Sequence, residues 1–213
     1  MAISKFNYNS FNVTPVAGNA LSFNSDADGF TTQGASSMIL IKTLTASSSA
    51  TLSFVDGADS VVLDDTYPVY VFKFINIHPA TDAQAFTFNL STDSGSNYNV
   101  TKTSTFFQTF HTEGGASGSV SYEGSYDLAQ STSDQQLIYQ LGNDNDQCVS
   151  GDLFLFNPSS TTFVKHFLGR CSSYYYTDAN HTGNYAGYGN TTSAIDGVRF
   201  KMSSGNIDSG KIK

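Results

Sequence analysis

From about residue 35 onward, apolar and polar positions alternate in short runs, and clusters of Gly, Asp, Asn, Ser and Pro interrupt them. A period of two marks strands that bury one face. The clearest run is near the C-terminus, where Val198, Phe200 and Met202 alternate with Arg199 and Lys201. Ser203-Ser204-Gly205-Asn206 is turn chemistry, and residues 207–213 read as a returning strand. The two form a closing hairpin whose apolar face the rest of the chain must cover. The parity slips between Ile207 and Ile212, with Gly210 as the bulge point. Residues 67–77 give the densest strand: Tyr70, Phe72 and Phe74 share one face, and Val69, Val71 and Ile75 share the other. A strand apolar on both faces belongs in the middle of a sandwich or beneath another subunit. Pro68 must stand at its start, where a missing N–H costs least.

The remaining elements follow by the same reasoning. Residues 38–44 are apolar and β-branched, as in a buried strand. Residues 50–55 point Leu52 and Phe54 inward. Asp56-Gly57 and Asp64-Asp65 are turns around residues 61–63. Phe86, Phe88 and Leu90 alternate with Thr87 and Asn89, and residues 93–97 turn the chain into 98–101 as a hairpin. Residues 103–112 form a strand with Phe106 and Phe110 in phase, followed by a loop over 113–118 and a short strand over 119–126. Residues 127–136 hold one helical turn. Strands follow at 137–141, at 153–156 (closed by Asn157-Pro158) and at 161–168. Residues 170–190 are an excursion rich in Tyr, Gly and Asn. About ten short strands between regularly spaced turns predict an all-β antiparallel sandwich spanning residues 35–213.

Residues 1–34 differ. Lone aromatics (Phe6, Tyr8, Phe11, Phe23, Phe30) stand among Asn, Ser, Ala and Gly without a sustained period, and residues 25–29 form a turn. This is an extended N-terminal arm. It reads either as a solvated tail or as an arm whose aromatics anchor it in a partner.

Composition narrows the function. Only 13% of the 213 residues are charged, and 17 Phe and 12 Tyr with no Trp supply the bulk of a core. The net charge is −8, and the basic residues do not cluster. Nucleic-acid binding requires a basic stripe, so it is not expected. No segment reaches the ~20 apolar residues of a membrane helix. The opening residues lack the apolar core of a secretion signal, which implies synthesis in a cytoplasm. Cys148 and Cys171 are then expected to stay reduced.

No catalytic set emerges. Glu113 and Glu123 are the only glutamates, both near Gly/Ser loops, and nothing in the sequence pairs them as acid and base. His78, His111, His166 and His181 are scattered, without a nucleophile elbow or metal-ligand spacing. The acidic loops at 93–97 and 143–147 offer oxygen ligands, yet neither has the twelve-residue calcium pattern, and Asx residues favour turns for local reasons. No metal and no cofactor is expected. The best candidate ligand surface is the tyrosine set Tyr174, Tyr175, Tyr176, Tyr185 and Tyr188, since aromatic rings stack on sugar faces. The competing reading is that these rings cover the sandwich end or meet another subunit.

The C-terminal run IDGVRFKMSSGNIDSGKIK resembles a signature of small virion proteins of marine bacteriophages. ILIKTLT at 39–45, FKFINIHPATD at 72–82, FTFNLSTDSGSNYNV at 86–100, GNDNDQ at 142–147 and GDLFLFNPSSTTFVKHF at 151–167 fit the same pattern. That family's last strand runs a few residues further, so here it would be short or completed by a neighbour. The resemblance implies a jelly-roll-like β-sandwich, made in a bacterial host's cytoplasm and located in the virion. It implies a structural role, with other virion proteins (major capsid or tail proteins) as partners. Within that class the sequence favours a capsid decoration or cement protein. A tail or fibre protein binding a host-surface glycan is the alternative. Open sheet edges call for a homo-oligomer, here a ring or trimer.

Overall fold

A computed structural model describes residues 19–23, 30–34 and 38–213, with side chains for Phe30 and from Met38 onward. The chain divides into two compact units, Met1–Leu40 and Ile41–Lys213. In the first, β1 (Asn19–Phe23) and β2 (Phe30–Gly34) pair antiparallel and set Phe23 opposite Phe30. The segment read as an arm thus carries a hairpin of its own. Phe6, Tyr8, Phe11 and the turn at 25–29 lie outside the described residues.

The second unit is all-β. Its strands are β3 (Leu44–Thr45), β4 (Leu52–Val55), β5 (Val69–Pro79), β6 (Gln84–Ser91), β7 (Lys102–Thr112), β8 (Gly118–Tyr122), β9 (Gln135–Leu141), β10 (Val149–Phe156), β11 (Lys165–Tyr175), β12 (Ala179–Gly189), β13 (Gly197–Met202) and β14 (Ile207–Ile212). All ladders are antiparallel, and together they form one twelve-stranded sheet. The sheet folds over into two layers that meet where Tyr175 pairs Leu141. One layer runs β4-β13-β6-β9, and the other β3-β14-β5-β10-β11-β12-β7-β8. With the eight strands of a jelly roll lettered B to I, the first layer has the order B-I-D-G. The second has C-H-E-F, with three strands, β10-β11-β12, occupying the place of H. An odd number there leaves every later strand direction unchanged.

The layers are held together by phenylalanine. Phe200 on β13 is fully buried, with Phe74 and Phe72 of β5 at 5.2 and 5.3 Å and Phe86 of β6 at 5.9 Å. Phe54 meets Phe72 edge-on at 5.2 Å, and Phe88 meets Phe167 at 5.0 Å. The apolar faces predicted for β4, β6 and β13 are buried, and of the two apolar faces of β5 the one with Tyr70, Phe72 and Phe74 is buried. Pro68 stands just before β5, and Gly210 (φ 113°) sits at a register shift opposite Asn76, where a Cβ would lie 2.4 Å from the Asn76 carbonyl oxygen.

Several expectations fail. β13 and β14 are not a hairpin: β13 pairs β4 and β6, β14 pairs β5 and β3, and the turn at 203–206 carries the chain between layers. Residues 93–101 likewise cross between layers, because β6 pairs β9 and β13 while β7 pairs β8 and β12. Of residues 38–44, only Leu44 is in a strand, and Met38, Ile39 and Leu40 are exposed. The 3-10 turn of this stretch falls at Gly124–Tyr126 rather than within 127–136. The excursion at 170–190 is not a loop: it is most of β11 and β12, paired from Lys165↔Gly189 to Tyr175↔Ala179. Its glycines face inward where space is short. A Cβ on Gly183 would lie 2.7 Å from the Phe106 ring, and one on Gly187 the same distance from the Phe167 ring.

β5 lies within its layer, as predicted for a strand apolar on both faces, but its outer face is only partly buried. Val69 and Ile75 are each 38% exposed. Beside them, Phe154 and Phe156 of β10 stack at 6.5 Å, and Leu168 of β11 is exposed. The Lys73–Asp152 pair (2.9 Å) interrupts these apolar positions, between Val71 and Ile75.

Candidate functional site

Strand parity scatters the five tyrosines of the β11–β12 hairpin. Tyr185 points inward and is 3% exposed, with its hydroxyl donating to the Asp152 carbonyl. Burial and the neighbouring Cys171 raise its phenol well above the usual range. It is a core residue, which corrects its assignment to a ligand surface. Tyr175 also turns inward: its ring meets Phe110 at 5.1 Å and its hydroxyl donates to the Gln140 side chain. Tyr176 packs on Tyr175 at 5.0 Å, and Tyr188 lies outward beside His166 at 6.0 Å. Tyr174 lines a depression.

That depression, about 470 Å³, forms where the end of β7, the start of β10 and the tip of the β11–β12 hairpin converge. Its walls include His111, Glu113, Cys148, Ser150, Tyr174 and Asn180. Backbone bonds fix it: Glu113 N–H donates to Asp178 O (3.0 Å) and Tyr174 N–H to Cys148 O (3.1 Å). Asp178, at φ 57°, makes the tight hairpin turn. The Tyr174 hydroxyl bonds the Glu113 carboxylate, which holds the phenol up at about 12. Burial, with Asp146 adding to it, raises the Cys148 thiol, the reverse of an activated thiolate. Both cysteines are free. Glu113 is the one carboxylate among the lining residues. Hydroxyls, an amide, an imidazole and one carboxylate can hydrogen-bond a polyhydroxyl ligand.

Two polar clusters escaped the sequence reading. In the first, Asp134 accepts from Asn89 Nδ2 (2.9 Å), Arg199 (3.2 Å) and Lys201 (3.0 Å). Burial alone would raise its carboxyl, but hydrogen bonds from Asn89 and Lys201 and the two cations outweigh that and hold it low. Beside it, Lys102 Nζ donates to Asn89 Oδ1 (2.6 Å) and Val100 O (2.8 Å). Burial pushes this ammonium down to about 8, against the pull of Asp134. Nothing in the sequence links Lys102 to Asp134. In the second cluster, His181 is fully buried between Tyr139 (4.6 Å) and Tyr175 (5.5 Å), and burial lowers its imidazole to about 4. Tyr139 donates to Gln108, whose Nε2 donates to Glu123 (2.8 Å) and Ser121 (3.0 Å).

The acidic loop at 93–97 uses its oxygens locally. Asp93 accepts from Ser91 Oγ (2.9 Å), Asn97 N–H (2.8 Å) and Asn97 Nδ2 (2.7 Å). Among the described residues no group of three or more His, Cys, Asp or Glu is arranged for a metal ion, and no helix is long and apolar enough to cross a membrane. Comparison of the chain with family profiles, with curated proteins and with solved structures gave no match.

Proposed function

We propose that this protein is a non-enzymatic structural component of a bacteriophage particle, acting as a capsid decoration or cement protein. The observation that carries this reading is the jelly-roll strand order in a chain whose C-terminal run, residues 195–213, resembles the marine-phage virion signature. The partly exposed apolar residues Val69, Ile75 and Leu168 on the outer sheet face support it, because such groups offer contacts to neighbouring virion proteins. In this role the chemistry is burial and pairing rather than turnover, with the Met1–Leu40 unit as the attachment element.

Imaging of whole particles tests it. Many symmetric copies on the shell are expected, and deleting residues 1–34 should strip them. Absence from the particle overturns the proposal.

The depression beside Tyr174 favours a second reading, a tail or fibre protein that binds host-surface glycan. A few copies at the tail would support it, and so would glycan-array binding abolished by Tyr174→Ala. Binding that survives Tyr174→Ala excludes this site.

A further inference from the structure

Strand β8 ends its layer and bonds only β7 among the described residues of its unit. The ladder fixes which groups it leaves free. Thr112 N–H donates to Ser117 O and Glu123 N–H to Phe106 O, both at 3.0 Å. The odd-numbered residues of this stretch therefore face β7, and Gly118, Val120 and Tyr122 direct their N–H and C=O groups to the open edge. Their side-chain positions lie on the outer face, where Val120 is 75% exposed, Tyr122 66% and Phe107 of β7 47%.

Natural edges are blunted with lysine, proline or a bulge. β8 has none of these: its sequence is GSVSY, and its register with β7 is unbroken. The sequence is also close to self-complementary about Val120. Antiparallel pairing with its own copy sets Val120 against Val120, Ser119 against Ser121, and Gly118 against Tyr122. Serine pairs suit a ladder, and Gly118 offers no side chain to obstruct the opposing ring. Glu123 meets Ser117 rather than another Glu123, so no like charges are opposed. The outer apolar residues then run from Phe107 of one copy, across both β8 strands, to Phe107 of the other.

We infer that β8 is a two-fold pairing edge, joining a second copy of this chain through an antiparallel β8–β8 ladder centred on Val120. Such an interface is isologous and closes at two copies. It favours a dimer, or a higher assembly built from dimers, over a simple trimer. It does not rest on the particle reading.

Sedimentation velocity on the full chain should give a species of twice 22.9 kDa at micromolar concentration. Val120→Lys should return it to monomer without changing its circular dichroism, because residue 120 is exposed and its backbone bonds nothing in β7, and the thermal midpoint should lose the concentration dependence that a dimer confers. In a Cys148→Ser background, Val120→Cys should cross-link when oxidised by dissolved oxygen or oxidised glutathione, since facing residues of a hydrogen-bonded pair stand ~5.5 Å apart at Cα, within disulfide reach. A monomer at every concentration, an oligomer indifferent to Val120→Lys, or a V120C thiol that neither cross-links nor reacts with a thiol reagent each overturns the inference. The last would mean that the chain's own residues cover the edge.

Discussion

The two ends of the sandwich interior are filled by different chemistry. Between β5 and β13 the filling is hydrocarbon: Phe200 stands among Phe54, Phe72, Phe74 and Phe86. Between β9 and the β7–β12 pair it is tyrosine, histidine and glutamine, joined by directional bonds and ring contacts through Tyr139, Gln108 and His181. Nondirectional packing tolerates any pH and depends on volume. A polar filling depends on each partner being present and on its protonation state. The same strand order thus contains one region governed by shape and one governed by chemistry.

The largest effect should come from emptying the first region. Phe200→Ala should cost about 4 kcal/mol through lost burial and the remaining cavity, read as a fall in the urea midpoint. At the other end the sensitive variable is acid. The His181 imidazole titrates near 6.5 when unfolded and at about 4 when folded. Between those values the unfolded chain binds a proton that the native chain does not, so stability falls as pH drops through this window, by up to ~3 kcal/mol for a fully developed shift. His181→Phe should flatten the pH dependence between 6.5 and 4, checked by urea melts at each pH. If His181→Phe left the pH dependence unchanged, or Phe200→Ala abolished it, the contrast would collapse. A smaller effect sharpens it: Tyr139→Phe keeps the ring and removes one bond to Gln108, a cost of about 1 kcal/mol, while Phe86→Leu at the apolar end should leave every hydrogen bond intact.

Parity was legible in the sequence, and partnership was not. A period of two fixes which side a residue takes, and Leu52, Phe86 and Phe200, on the apolar sides of their strands, are buried. The turn at 203–206 looked like the tip of a hairpin because a short polar break between two apolar strands is a local signal. Its strands instead join opposite layers, a choice made by long-range packing around Phe200. Gly183 and Gly187 looked like loop residues, yet they are the thin points of a strand where Phe106 and Phe167 press against backbone. For the candidate depression, only Tyr174 of the five tyrosines was legible as a lining residue. Glu113, its partner, reads as an isolated acid in the sequence, because no local pattern reports that β7 ends beside β11.

Three strands stand where a jelly roll has one, and this sets the proportions of the whole unit. Two extra strands at ~4.8 Å spacing widen one layer by roughly 10 Å while the opposing layer keeps its width. The wider layer must overhang the narrower one, and β8 is the part that projects, whereas β7 stays covered through Phe106 and Gln108 against Tyr139 of β9. Growth by a whole hairpin leaves the downstream path intact, so this position is a natural point of length variation. Removing residues that pair β11 with β12 would draw the overhang back over its partner layer and bring the free edge with it.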